Sequence, residues 1–197
     1  KTVSYAKNFV SQNENLIAKV SIPEISNLES DALSFPKRLP LKSYENSVHV
    51  IDILRYTLGN FEVIYKKNVV NEQNYLAIIC IGVTETGNTI VIDSCYNAPD
   101  NFKIDYISKT KRLELKPIEL AKLYDGMQIA DPSEKLPIRM YSPIVIDTIS
   151  EISEGNLKLG FLEQAHDFKK FCKGSISKAA NINDAYEAVK LIEKFQV

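Results

Sequence analysis

Residues 75–95, YLAIICIGVTETGNTIVIDSC, hold two β-branched apolar runs separated by a short polar step. Tyr75–Val83 and Thr89–Cys95 read as strands because Ile, Val and Thr fit a pleated surface. Glu85-Thr86-Gly87-Asn88 between them reads as a hairpin turn, since Gly and Asn tolerate positive φ. The first run is apolar at both parities, so it is expected to be a central strand covered above and below. Phe61–Lys67 precedes this hairpin and reads as a third strand.

Toward the N-terminus, Ser47–Gly59 (SVHVIDILRYTLG) places Val50/Ile51, Leu54 and Leu58 on one helical face. Ser47 stands as the N-cap and Gly59 as the stop. The β-branched residues Val48 and Val50 keep a strand open as the competing reading. Upstream, Leu16–Ile22 has the composition of a strand, but Pro23, Pro36 and Pro40 interrupt the chain beyond it. Residues 1–42 therefore read as an N-terminal arm or covering loop, and residues 43–197 as the core domain.

Toward the C-terminus, Pro99–Lys116 (PDNFKIDYISKTKRLELK) reads as a hairpin. Its apolar alternation sets Tyr106 opposite Leu113 and Ile104 opposite Leu115, with Asp105 opposite Glu114 on the polar face. Residues 117–127, PIELAKLYDGM, are expected to form a short helix with Pro117 in its first turn and Gly126 at its end. Strands return at Ile138–Tyr141 and Ile144–Ile149, broken by Pro143. Two amphipathic helices close the chain, one striped by Phe161, Ala165, Phe168 and Cys172, the other by Ala185, Ala188/Val189, Ile192 and Phe195. The expected fold is a single α+β domain: a mixed or mostly antiparallel sheet of about five to seven strands, covered by the Ser47–Leu58 helix and the two C-terminal helices.

Composition excludes several classes. With 24 basic against 25 acidic residues in 197, no global field draws the chain to nucleic acid or an anionic membrane. No apolar run approaches the roughly 20 residues a spanning helix needs. Cys80, Cys95 and Cys172 have no CxxC spacing and read as small buried hydrophobes, which points to a reducing, cytoplasmic compartment. His166 reads as a surface histidine and Glu62 as exposed, while Asp93 ends a strand. The sequence carries no glycine-rich phosphate loop, no nucleophile elbow and no HExxH.

Chemistry-bearing residues fall in a recognisable order only at Pro99-Asp100 and Glu114-Leu115-Lys116. This order resembles the PD-(D/E)XK metal-dependent nucleases, and Pro99-Asp100-Asn101-Phe102 resembles a step in the cap-snatching endonucleases of segmented negative-strand RNA viruses. Those endonucleases carry a His followed by Asp, whereas His49 here is followed by Val50. The resemblance implies Mg²⁺ or Mn²⁺ held by Glu114 with Asp100 or Asp105. It implies Asp100, Glu114 and Lys116 as catalytic residues and nucleic acid as the partner, bound locally by Lys103, Lys109, Lys111, Arg112 and Lys116. The geometry of the hairpin asks for a bend near Asn101, because a straight strand would put Asp100 on the apolar side. Beside this nuclease reading stands a non-catalytic interaction or assembly module, whose partner is another protein or a second copy, with no membrane involved.

Overall fold

A computed structural model of the chain describes residues 1–24, 43–71, 74–95, 98–135, 137–151, 159–177 and 179–196. Eight strands form one sheet: β1 (Ile17–Ser21), β2 (Phe61–Asn71), β3 (Asn74–Thr84), β4 (Thr89–Cys95), β5 (Lys103–Ile107), β6 (Lys111–Leu115), β7 (Leu120–Ala130) and β8 (Met140–Ser150). Their spatial order is β2-β3-β4-β1-β5-β6-β7-β8. Four α-helices accompany them among the described residues: α1 (Thr2–Ser11), α2 (Val48–Leu58), α3 (Phe161–Cys172) and α4 (Ile182–Gln196). One π-helical turn, Ser43–Ser47, runs directly into α2. The architecture is α+β with a mixed sheet, as the sequence leads one to expect, and with eight strands it exceeds the expected number.

Sequential hairpins build both halves of the sheet. β2, β3 and β4 form one antiparallel meander, and β5 through β8 form the other. β1 lies between them, parallel to β4 and antiparallel to β5. Its entry is fixed by the turn after β3: Gly87 takes φ +84°, and the Asn88 side chain accepts the Leu16 N–H at 2.9 Å. Of the segment read as an arm, residues 25–42 lie outside the described residues, and the part before them contributes α1 and a strand paired on both edges.

One face of the sheet alternates inward at Ala18, Val20, Cys80, Ile90, Ile92, Ile104, Tyr106, Leu113, Leu115 and Ala121. Three helices cover it with Ala6, Phe9 and Val10 from α1, Val50, Ile51, Leu54 and Leu58 from α2, and Ala188, Leu191 and Ile192 from α4. The Tyr106 hydroxyl, fully buried, shares a 2.9 Å hydrogen bond with Thr57 Oγ1 of α2. Burial pushes its pKa up, and this bond offsets the shift only in part. Close approach also dictates Gly82: a Cβ there would meet the Phe61 ring at 2.6 Å, beside the bulge in β2.

Four expectations are corrected. Residues 120–127 form β7 rather than a helix, because Ala121 and Leu123 alternate toward the core and the chain turns tightly just before them. In that turn Leu120 N–H donates to Pro117 O and Lys116 N–H to Leu120 O. Pro143 does not divide β8, since it stands at an irregularity of an edge strand, where the ladder does not need its missing N–H. β3 is covered fully on one face but only in part on the other, where Ala77 is buried and Ile79 and Ile81 are half-buried. The stripe on α3 is not buried among the described residues: Phe161 and Phe168 are 58% and 65% exposed.

These placements fix the expected stabilities. Leu113→Ala, at a site with no exposure, should lower the unfolding free energy by about 3 kcal/mol. Phe168→Ala should change it by less than about 0.5 kcal/mol. Urea denaturation of the two variants checks both, and equal losses would show that α3 is packed.

Candidate functional site

The hairpin singled out in the sequence closes in the expected register, with Ile104 opposite Leu115, Asp105 opposite Glu114 and Tyr106 opposite Leu113. Its polar face is a web of ion pairs. Lys103 Nζ lies 2.8 Å from Asp105 Oδ2 and 3.6 Å from Glu114 Oε2. The Arg112 guanidinium stands 3.8 Å from both carboxylates and stacks 4.3 Å above the Tyr124 ring. Tyr124 donates its hydroxyl to Glu114 Oε1 at 3.0 Å. Asp105 is 6% exposed, and its Oδ1 has only the Arg112 charge nearby, without a hydrogen bond among the described residues.

Asp100 stands apart from this web. Its carboxylate pairs with Lys116 at 2.8 Å, and that bond, followed by the Asn101 N–H, holds its pKa below the usual carboxylate value. Lys116 is thus committed to Asp100, while Glu114 is committed to Lys103, Arg112 and Tyr124. Among the described residues no three His, Cys, Asp or Glu side chains gather in a way that could hold a metal ion. Cations of the protein itself already balance these carboxylates.

A second cluster lies where the two parallel strands end. Chain leaving β1 reaches Glu24, whose N–H donates to Cys95 O at the end of β4 at 3.1 Å. Glu24 is 1% exposed. Its Oε1 accepts the Ser47 N–H at 2.8 Å and the Ser47 hydroxyl, and its Oε2 accepts Asn46 Nδ2 at 3.2 Å. Ser43 and Ser47 share a small cavity with Ile22, Ile92 and Ser94. The π-helical turn is thereby seated on the carboxyl ends of β1 and β4. From it Glu45 and His49, four residues apart, emerge as exposed side chains. Asp52 lies one turn further along; burial raises its carboxyl pKa and Asp184 adds to this, while Arg55 and His49 pull the other way.

Sequence reasoning centred on the hairpin missed this second cluster. Its signal was the Glu-x-x-x-His spacing at the start of an apolar helix. In an open sheet with parallel strands, ligands bind outside the carboxyl ends where the strand order reverses. β1 and β4 are the only parallel neighbours among the described strands.

Solved structures share the fold of this chain. A dehydrogenase from Clostridium difficile superposes with a TM-score of 0.65 and 13% identity over 98% of this chain and 58% of its own. Levoglucosan dehydrogenase in complex with NADH and levoglucosan gives 0.66 and 13%, over 98% of this chain and 60% of its own. An oxidoreductase from Agrobacterium radiobacter in complex with NAD⁺, L-tartaric acid and magnesium gives 0.64 and 12%, over 98% and 57%. The chain shares their fold. It spans a little under three fifths of the first of them. No protein-family model and no curated protein matches the sequence.

These likenesses correct the nuclease reading, the PD-(D/E)XK resemblance and the nucleic-acid partner, because the matching folds are those of dehydrogenases and oxidoreductases. They equally correct the expected Mg²⁺ or Mn²⁺ cofactor, since the levoglucosan enzyme is bound to NADH. The reading as an interaction or assembly module, with a protein or a second copy as partner, gains no support from them. No described helix is long and apolar enough to cross a membrane.

The ion-pair web has a consequence in alkali. Burial, followed by the hydrogen bond to Glu114, raises the Tyr124 pKa above 10. A raised folded pKa means that the bond's contribution is complete below the unfolded value near 10 and is lost as pH rises through the folded one. Glu114→Gln should bring the Tyr124 phenolate transition to lower pH, and ultraviolet difference titration against Tyr124→Phe measures it.

Proposed function

We propose that this chain is the substrate-facing domain of an oxidoreductase that acts on polyhydroxylated alcohols. The carrying observation is that Glu24, at the carboxyl ends of the parallel pair β1 and β4, binds Asn46 and Ser47, the residues between the exposed Glu45 and His49. Oxidation of an alcohol needs a base at the hydroxyl, and an exposed histidine flanked in sequence by Glu45 and Asp52, the latter coupled to it by charge, suits that task near neutral pH. In this reading His49 takes the hydroxyl proton and Glu45 orients or stabilises the imidazole. The substrate class is suggested by the levoglucosan, L-sorbose and L-tartaric acid bound by the enzymes of like fold.

These residues do not fit a dinucleotide. Its phosphate loop needs closely spaced glycines after the first strand of a parallel sheet. Here the closest glycines, Gly82 and Gly87 or Gly155 and Gly160, lie five apart. The hydride lost with that proton would go to a nicotinamide cofactor, held by a further part of such an enzyme. A reducing, cytoplasmic setting suits the reading, since all three thiols are free.

Titrating ¹⁵N-labelled chain with levoglucosan, L-sorbose and tartrate tests it. The amide signals of Glu45, Asn46 and His49 should shift, and His49→Ala should weaken the response at least tenfold, on the order of one or two lost polar contacts. Shifts confined to the Lys103–Glu114 web, or none with any of the three, would falsify the proposal.

A further inference from the structure

Buried carboxylates need a reason, because an ionised group removed from water is costly unless its lone pairs are satisfied. Glu24 is among the largest fully buried side chains of this protein. Its carboxylate sits at the start of a helix, where peptide N–H groups carry partial positive charge. Its role there is geometric. The two oxygens hold Asn46 and Ser47, residues that lie between Glu45 and His49. Its own N–H is tied to Cys95 O, so one residue fastens the first turn of the helix to the end of β4.

We infer that Glu24 is a positioning residue: it clamps the turn between Glu45 and His49 to the end of β4 and so fixes the orientation of the His49 imidazole at the start of α2. The inference rests on the reading of His49 as the proton-accepting group. The clamp is two-sided. Ser47 contributes both its backbone N–H and its hydroxyl to one carboxylate oxygen, which fixes the start of the helix along its axis. Asn46 contributes its amide to the other oxygen, which fixes the rotation of the turn. Removing the carboxylate frees the turn on both counts, while the interior face of α2 at Val50, Ile51 and Leu54 still anchors the rest of the helix. The expected lesion is therefore local: the fold persists and the imidazole wanders.

With only two histidines in the chain, His49 and His166, imidazole ¹H–¹⁵N spectra read this directly. In Glu24→Ala the His49 signals should broaden or split while those of His166, exposed on α3, stay as in the wild type. Glu24→Gln, whose amide carbonyl still accepts the Ser47 N–H, should restore a single His49 species, and it serves where the alanine variant fails to fold. In a polyol oxidation assay of the assembled enzyme, Glu24→Ala should lower kcat by on the order of tenfold to a hundredfold with KM nearly unchanged, as for a displaced reacting group. Sharp, unmoved His49 signals in folded Glu24→Ala overturn the assignment. Broadened His49 signals with an unaltered rate support the clamp and overturn instead the role given to His49.

Discussion

The pairing of β1 with β4 on one edge and β5 on the other holds this protein together. Each half of the sheet is a run of local hairpins, and neither half has a backbone partner for its inner edge without Ile17–Ser21. Exposed edges of this kind leave a row of unpaired N–H and C=O groups. Five residues supply the missing partners to both. Their side chains share the task, since Ala18 and Val20 lie buried in the core beneath the helices while Lys19 faces outward. Asn88 and Leu16 fix the point of entry, so that a one-residue slip would turn Ala18 and Val20 to solvent.

The geometry of the proposed site depends on the same pairing. A wholly antiparallel sheet offers no end at which two neighbouring strands finish side by side and a helix begins above them. β1 and β4 do finish side by side, and Glu24 joins that end to the start of α2. Polar chemistry is accordingly divided between two places with different characters. On the open face Lys103, Asp105, Arg112, Glu114 and Tyr124 satisfy one another, which stabilises the face and leaves little free for a ligand. At the strand ends the buried Glu24 holds Asn46 and Ser47, which stand between the exposed Glu45 and His49.

Much of the local structure is plain in the residues. The runs around Gly87-Asn88 form β3 and β4, Ser47 and Gly59 bound α2, and the alternation of Ile104, Tyr106, Leu113 and Leu115 sets the hairpin register. Elsewhere short-range cues compete. Pro117 suggests a first helical turn, yet Ala121 and Leu123 carry the period of a strand, and neighbours on both sides settle the matter through their hydrogen bonds. On α3 the stripe of Phe161 and Phe168 correctly implies a helix but cannot say what it faces. The site is less legible than the fold. The proposed role of Glu45 and His49 depends on Ile17–Ser21 pairing with Thr89–Asp93, some seventy residues away. Short motifs are matched by chance, and the order Asp100, Glu114, Lys116 shows how: the structure commits these residues to separate ion pairs.

Native-state hydrogen exchange of the β1 amides tests the central claim, that this strand is the joint of the sheet. Strands buried in a cooperative core exchange only with global opening, whereas peripheral segments open locally at lower free energy. The amides of Ile17–Ser21 should exchange as slowly as the most protected amides of β4 and β5, and all three should respond together to low denaturant. Exchange of β1 well ahead of β4 and β5, with both neighbours still protected, would contradict the account, because the two meanders would then hold without it.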